Sequence, residues 1–320
     1  MAVLALVAAV AVVGLGGNLV VTALYWGDDY DGIELEATGY EDEVDGWWAD
    51  YAAIEQEIFD NADQAGELPS ELDELVETCN GYLETYFQDV YGIEVASLID
   101  EVEVHTFDFS GLLDLVGIWG MEDPDGGNIY ISTEITDELT GIASDSSLTL
   151  ADANGNPVEY EYIFMEVYIH EIIHDLGCCA QLDNEMTMVY EGMCEYLTGQ
   201  CLEYNGVDYT NMTSYTYNSV IGGQIIEADP DLVVAMIGHY GEFRLGDRLD
   251  EQLEGYALDL DDALFVLVDQ QIEDADMLLR AQYIAAEYCK AVNADAAQSI
   301  VDGNEIVSFF EVKVLLNGLG

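Results

Sequence analysis

The most informative pattern in the chain lies at residues 162–177, which read YIFMEVYIHEIIHDLG. Apolar residues cover most faces of the helix that this stretch predicts, and Gly177 is the residue type that commonly ends a helix. His170 and His174 stand four positions apart, so both imidazoles lie on one face and can contact a single metal ion. Because buried polar side chains need partners, a metal ion would satisfy this group.

Glu171 follows the first histidine and can reach a water molecule bound to such an ion. The pattern H-E-x-x-H is typical of zinc metallopeptidases, in which the glutamate is the general base. With only four histidines in the chain, the pattern would rarely arise by chance. We therefore predict His170 and His174 as ligands of one catalytic Zn²⁺ and Glu171 as the catalytic base. The alternative is a pair of core histidines without metal.

A catalytic zinc ion usually has a third protein ligand. The extended pattern H-E-x-x-H-x-x-G-x-x-H is met at Gly177, but its last position holds Ala180, which cannot bind a metal. This counts against the metzincin class. Downstream, Glu191 and Glu195 stand four apart in the sequence E-G-x-x-E, on one face of a second predicted helix.

With these two motifs the chain resembles the gluzincin metallopeptidases, the thermolysin-like and aminopeptidase-like enzymes, over about residues 160–200. The resemblance implies that Glu191 is the third zinc ligand and that Glu195 fixes the tautomer of a ligand imidazole. Asp183 and Glu185 are the reserve ligands. A solvated acidic helix face is the alternative for both glutamates.

Amide hydrolysis also requires a donor to the oxyanion of the tetrahedral intermediate. The resemblance implies a tyrosine or histidine from the helical half of the chain. We predict His239 or Tyr240 in this catalytic role, with Tyr215 and Tyr217 as weaker candidates.

The chain as a whole predicts an α+β fold of zincin-like type, with a small mixed or antiparallel sheet before the motif helix and a mostly helical part after it. Alternating patterns predict strands at 101–109 and 128–133, and residues 148–162 predict a hairpin. Helical spacing predicts helices at 48–60, 70–90, 186–203, 229–240, 246–255, 260–275 and 276–292.

Composition divides the chain into four parts. Residues 1–26 are almost wholly apolar and predict a signal peptide or transmembrane anchor, with a buried core helix as the alternative. Residues 27–46 form an acidic flexible linker. Residues 47–184 are the predicted α+β subdomain with the H-E-x-x-H helix, and 185–320 the helical subdomain with the third ligand. We expect an extracytoplasmic protein, either membrane-anchored through the apolar segment or secreted.

No other pattern predicts a metal site. Asp152, Asn154 and Asn156 are spaced as in a calcium loop, but the following glycine and the terminal glutamate are missing, so Ca²⁺ is possible without a clear motif and a turn is expected. The six cysteines contain no C-x-x-C pair. They permit disulfides in an exported chain, with buried thiols as the alternative.

These patterns support three functional hypotheses. The first is a zinc-dependent peptidase that hydrolyses a peptide or protein substrate. The second is a non-catalytic acidic cell-surface module with a structural zinc or calcium site. The third is an envelope-tethered structural protein in which the motif is accidental. We expect a monomer, since nothing in the sequence indicates an oligomer.

Charge excludes one large class of partners. The chain has 66 acidic and 5 basic residues, a formal net charge of −61. Such a surface repels nucleic acid and anionic membranes. It is typical of halophilic proteins. The first bases, Arg244 and Arg248, are expected in structural ion pairs rather than in a binding site.

The charge makes stability depend on salt. Repulsion between surface carboxylates destabilises the folded chain, and dissolved ions screen this repulsion. We expect the melting temperature, followed by circular dichroism, to rise between dilute buffer and molar NaCl or KCl. A melting temperature that stays constant across that range would contradict the prediction.

Overall fold

The fold is described from a computed structural model. It covers residues 65–109, 119–123, 127–142, 158–177, 186–209, 216–237, 244–253, 257–269 and 275–293. Within these ranges the chain is rich in helices and has one small mixed sheet, which is an α+β arrangement. The predicted helix 48–60, the linker and the N-terminal apolar segment lie outside the described residues. Among the described helices, none has the length and apolar character to span a bilayer.

The sheet has four strands in the order β1-β2-β4-β3: β1 (Gly66–Glu67), β2 (Glu103–Phe107), β3 (Gly120–Glu122) and β4 (Asn128–Ser132). β2 and β4 are parallel, and the short outer strands are antiparallel to them. Ile129 and Ile131 of β4 are fully buried, as expected for β-branched residues in a central strand. The two central strands match the predicted ones. β1 and β3 were not predicted, because runs of two and three residues carry no periodic signal.

The first three described α-helices belong to this half of the chain. They are α1 (Asp73–Tyr86), α2 (Ala96–Ile99) and α3 (Thr133–Thr140), and one turn of π-helix (Phe87–Tyr91) extends α1. The Ser132 hydroxyl caps α3 by accepting from Glu134 N–H across 3.3 Å. At Gly92 a positive φ of 72° ends the extension of α1, a conformation that glycine adopts without a steric penalty.

The motif helix is α4 (Tyr160–Gly177), slightly longer than predicted. It packs on β3 and β4, on α1, and on α5 (Thr187–Tyr204), so it is covered on several sides. The Tyr168 hydroxyl donates to Asn80 Oδ1 of α1 across 2.8 Å. Because α4 begins at Tyr160, the predicted hairpin cannot extend to Tyr162; its remaining residues, 148–157, lie outside the described ranges.

The later part of the chain is helical, with no strand after β4 in the described ranges. The remaining helices are α6 (Thr216–Ala228), α7 (Asp231–Met236), α8 (Leu245–Leu253), α9 (Ala257–Asp269) and α10 (Ala275–Val292). One hydrophobic core runs from Leu72 of the sheet half to Tyr288 of α10. α6 was missed in the sequence because its two adjacent glycines lower helix propensity.

Those glycines explain how closely α5 and α6 pack. A Cβ atom on Gly192 of α5 would lie 2.1 Å from Asn218 O, and one on Gly222 of α6 would lie 2.6 Å from Gly192 C. A Cβ on Gly223 would lie 2.5 Å from the Tyr196 ring. Real Cβ contacts are longer, so only glycine allows the two backbones to approach this closely. The glycine of E-G-x-x-E therefore has a packing role of its own.

Arg248 forms the structural ion pair expected of it. Its guanidinium lies 3.1 Å from Asp229 Oδ2 and 3.1 Å from Glu251 Oε2. Asp229 is buried and also accepts from the Tyr288 hydroxyl across 2.9 Å. The pair thus joins the end of α6 to α8 and α10.

Four cysteines lie in the described residues, and all four are buried free thiols: Cys79, Cys194, Cys201 and Cys289. Burial raises the pKa of Cys201 to about 12, which keeps that thiol protonated and unreactive. Cys178 and Cys179 lie outside the described residues.

Substitution of Gly222 by alanine tests the packing of α5 on α6. We expect Gly222→Ala to lower the free energy of unfolding by about 1–3 kcal/mol, because the added methyl meets backbone atoms that cannot move aside. Gly81→Ala is the matched control: it is also a helical glycine, but nothing lies within 4 Å of its Cβ position. That variant should be neutral or stabilised by about 0.5–1 kcal/mol. Equal effects of the two substitutions in urea unfolding would contradict the packing argument.

Candidate metal centre

Three predicted ligands converge in the structure. α4 contributes His170 and His174, and α5 contributes Glu191. The two Nε2 atoms are 3.0 Å apart, and each lies 3.2 Å from Glu191 Oε2. The three ligand atoms form the group that could hold a metal ion in the described part of the chain. All three residues are buried, with 7–8% of the surface of each exposed.

The size of this triangle fits a small metal ion. Tetrahedral ligands with bonds of about 2.0–2.1 Å stand about 3.3 Å from one another. The observed separations of 3.0–3.2 Å are close to that value. The arrangement therefore meets the distance requirement for one shared ion with three protein ligands.

The number of available protons also indicates that this group needs a further positive charge. His170 Nδ1 lies 3.1 Å from Glu195 Oε2, so we assign its proton to Nδ1. In the neutral ring, Nε2 then presents a lone pair to the triangle. Glu191 Oε2 has no proton to donate, and His174 Nε2 carries at most one. Three short contacts would share a single proton, so the group needs an additional positive charge, either a proton or a metal ion.

The electrostatic effects agree with this count. Burial alone would lower the pKa of His170, but Glu191 and Glu195 raise it well above its usual value. Burial alone would raise the pKa of Glu191, but His174 and His170 hold it well below its usual range. Burial raises the pKa of Glu171, and the two imidazoles offset this in part. The centre attracts positive charge and keeps the carboxylate of Glu191 ionised.

Glu195 lies directly behind His170. It is fully buried, and one of its oxygens faces His170 Nδ1. Its other oxygen accepts from the hydroxyl of Tyr209, which follows the C-terminus of α5. The spacing that placed Glu195 on the same helix face as Glu191 also places it against the ring. Tyr209 was not among the predicted site residues, because it follows the helix and lies ten residues or more from each motif.

Glu171 lies on the side of α4 that faces the edge strand. Its side chain is buried, and a Cβ atom on Gly120 of β3 would come within 2.7 Å of Glu171 Oε1. A glycine at this position leaves room for the carboxylate. Sequence reasoning had no signal for this contact, because β3 was itself not predicted.

β3 presents main-chain groups along the same edge. Asp123 N–H donates to Asn128 O across 2.8 Å, which places residue 123 in a bonded pair with β4. Antiparallel bonding alternates along a strand, so Gly120 and Glu122 turn their N–H and C=O groups away from β4. Among the described residues, no strand pairs with that outer edge.

Further carboxylates surround the centre. Burial raises the pKa of Glu122 well above its usual value, and Asp175 and Glu171 raise it further. Asp175 accepts a hydrogen bond from Gly127 N–H and so joins the residue before β4 to α4. Gly127 itself has a φ of 84°.

The first turn of α5, just before Glu191, is held from three sides. Val189 N–H donates to Asp261 Oδ1 of α9 across 2.8 Å. Asn218 Nδ2 of α6 donates to Met188 O across 3.0 Å. The Tyr190 hydroxyl lies 3.3 Å from the carbonyl oxygen of His174, at the end of α4. These contacts join residues far apart in sequence, so no local pattern indicated them.

Several predicted site residues cannot be compared with the centre. His239, Tyr240 and Tyr215 lie outside the described residues, as do the reserve ligands Asp183 and Glu185. Tyr217 is a buried residue of α6. The calcium-like spacing at 152–156 also falls outside.

Comparisons with protein-family models, with curated proteins and with solved structures find no match to this chain. The resemblance to gluzincins therefore rests on the two sequence motifs alone.

Metal binding should release a proton. Glu191 and Glu195 together raise the pKa of His170 despite its burial, so in the metal-free chain this ring carries a second proton at neutral pH. A bound ion must displace that proton. We expect release of at least roughly one proton per Zn²⁺ bound near neutral pH, and weaker binding as the pH falls. Calorimetric titrations in two buffers of different ionisation enthalpy measure this. His105→Ala, a histidine on β2, is the control and should release the same number. Binding heats that do not depend on the buffer would contradict the prediction.

Proposed function

We propose that the chain is a zinc-dependent peptidase of gluzincin type, with a zincin-like fold. The observation that carries the proposal is the convergence of three ligand atoms, His170 Nε2, His174 Nε2 and Glu191 Oε2, at 3.0–3.2 Å, beside the carboxylate of Glu171 on the same helix. Two imidazoles with one carboxylate are a donor set that catalytic zinc sites use. Such a set leaves a coordination position for water or substrate.

A zinc ion held there would supply a Lewis acid and lower the pKa of its bound water. The chain's own residues supply the remaining chemistry. Glu171 accepts the proton of the attacking water and returns it to the nitrogen of the leaving amine. Glu195 holds the ring of His170 so that Nε2 presents its lone pair to the centre. His239 and Tyr240 remain the candidates for stabilising the oxyanion.

The edge strand supports a peptide as the substrate. The outward N–H and C=O groups of Gly120 and Glu122 can pair with an extended chain, as strands do in β-augmentation. Gly120 lies against Glu171, so a peptide paired along β3 would pass beside the proposed base. The proposed substrate is therefore a peptide or protein segment in extended conformation. We propose that it is met outside the cytoplasm because residues 1–26 are almost wholly apolar.

The decisive test compares two isosteric substitutions on α4. Glu171→Gln removes the base but none of the three ligands, so it should keep about one Zn²⁺ per chain and lose peptide hydrolysis by roughly 10²-fold or more. Glu161→Gln, at the exposed start of the same helix, should keep both the metal and the activity. Elemental analysis and cleavage of a mixed peptide library, both in molar salt, provide the two measurements.

Each outcome has a defined meaning. Wild-type protein that holds no zinc after refolding with the metal, or that holds iron instead, would overturn the proposal. Hydrolysis that survives Glu171→Gln would remove Glu171 from its role. One zinc per chain with no hydrolysis in any variant would favour a non-catalytic module with a structural metal.

A further inference from the structure

Tyr209 lies outside the two motifs and contacts Glu195, the carboxylate behind His170. It follows the C-terminus of α5, and its hydroxyl donates to Glu195 Oε1. Its ring lies over Gly199 of α5, where a Cβ atom would come within 2.9 Å of two ring carbons. A glycine at that position thus gives the ring access to a glutamate that has no exposed surface.

The contacts form a continuous chain of polar groups. The Tyr209 hydroxyl donates to one oxygen of Glu195, and the other oxygen lies 3.1 Å from His170 Nδ1. On the opposite side of the ring, His170 Nε2 lies 3.0 Å from His174 Nε2, among the three candidate ligand atoms. The Tyr209 hydroxyl thus holds one oxygen of the Glu195 carboxylate, and the other oxygen faces the ring of His170.

We propose that Tyr209 is a positioning residue for the metal centre, which acts through Glu195 on the ligand His170. The inference rests on the metal site of the proposed function. Tyr209 contacts neither the ion nor the substrate in this role. Its hydroxyl holds the carboxylate in the orientation that keeps the His170 proton on Nδ1 and the Nε2 lone pair directed at the ion.

The surroundings of the Tyr209 hydroxyl include another carboxylate. Glu166, one turn before His170 on α4, is a second buried carboxylate near the Tyr209 hydroxyl. Two buried carboxylates repel each other, and a hydroxyl donor stabilises Glu195 without adding a charged group. Burial raises the pKa of Tyr209, and Glu195 and Glu166 raise it further, so its hydroxyl remains a donor at every pH at which the protein would work.

Metal affinity tests the proposal without any measurement of activity. Tyr209→Phe keeps the ring over Gly199 and removes only the hydroxyl. We expect its affinity for Zn²⁺, measured by competition with a chromogenic chelator, to fall about tenfold, as is usual for the loss of an outer partner of a ligand histidine. Tyr196→Phe is the matched control on α5, since that hydroxyl donates to the exposed-side Glu227 across 2.7 Å, and it should bind as wild type does.

A double-mutant cycle separates positioning from general destabilisation. If Tyr209 acts through Glu195, the double variant with Glu195→Gln should bind Zn²⁺ no more weakly than Glu195→Gln alone. A loss that is additive in free energy would overturn the proposed route, because a purely structural effect of Tyr209 would not depend on Glu195.

A second variant tests the same contact in case Tyr209→Phe does not fold. Gly199→Ala keeps the hydroxyl but pushes the ring away from Glu195, so it should also weaken Zn²⁺ binding. Gly81→Ala, with open space around its Cβ position, is its control.

The outcomes distinguish the two proposals. Wild-type protein that binds no zinc would overturn the proposed function. Wild-type protein that binds zinc and hydrolyses peptides, with Tyr209→Phe and Gly199→Ala binding as tightly as their controls, would overturn only the role of Tyr209.

Discussion

The packing of α4 against α5 brings ionisable groups into a space from which water is largely excluded. Two imidazoles and the carboxylate of Glu191 meet there, on residues with 7–8% of their surface exposed, and Glu195 behind them has none. Burial of an uncompensated charge is far more costly than burial of an apolar side chain of the same size. Such an interface is more stable when its carboxylates and ring nitrogens face a donor or a cation. Most features of the fold around it can be understood as ways to meet that condition.

One of these features is the position of α5. A ligand atom displaced by an ångström no longer shares an ion with the other two, since metal–ligand bonds vary by only about 0.2 Å. α5 is fixed at its start by Asp261 and Asn218, which bond backbone groups at Val189 and Met188. Farther along, the backbone of α6 lies directly on Gly192. The helical half of the chain thus provides the rigid support that places Glu191 against the histidines of α4.

Local patterns in the sequence were sufficient to pair the candidate ligands on their helices and insufficient to predict the contacts that support them. The spacing of four places His170 with His174, and Glu191 with Glu195, on single helix faces whatever the rest of the chain does. The resemblance led to the expectation that Glu191 lies with the two histidines, and these three side chains do converge. By contrast, β3, α6, Asp261 and Tyr209 act through contacts between distant segments, for which one sequence contains no periodic signal. Short strands such as β3 and glycine-containing helices such as α6 have weak local propensities. They form here because tertiary packing stabilises them.

The composition restricts which donors can meet the condition imposed by burial. With 5 basic residues against 66 acidic ones, the chain cannot provide each buried carboxylate with a lysine or arginine. Asp229 has Arg248, but Asp261 accepts from the backbone of Val189, Asp175 from the backbone of Gly127, and Glu195 from Tyr209. Backbone N–H groups and hydroxyls satisfy carboxylates without adding charge, so the negative field of the centre persists. A field of that sign favours a bound cation over an empty site, and the scarcity of bases therefore makes the two histidines and their proposed metal the main positive charge beside Glu191 and Glu195.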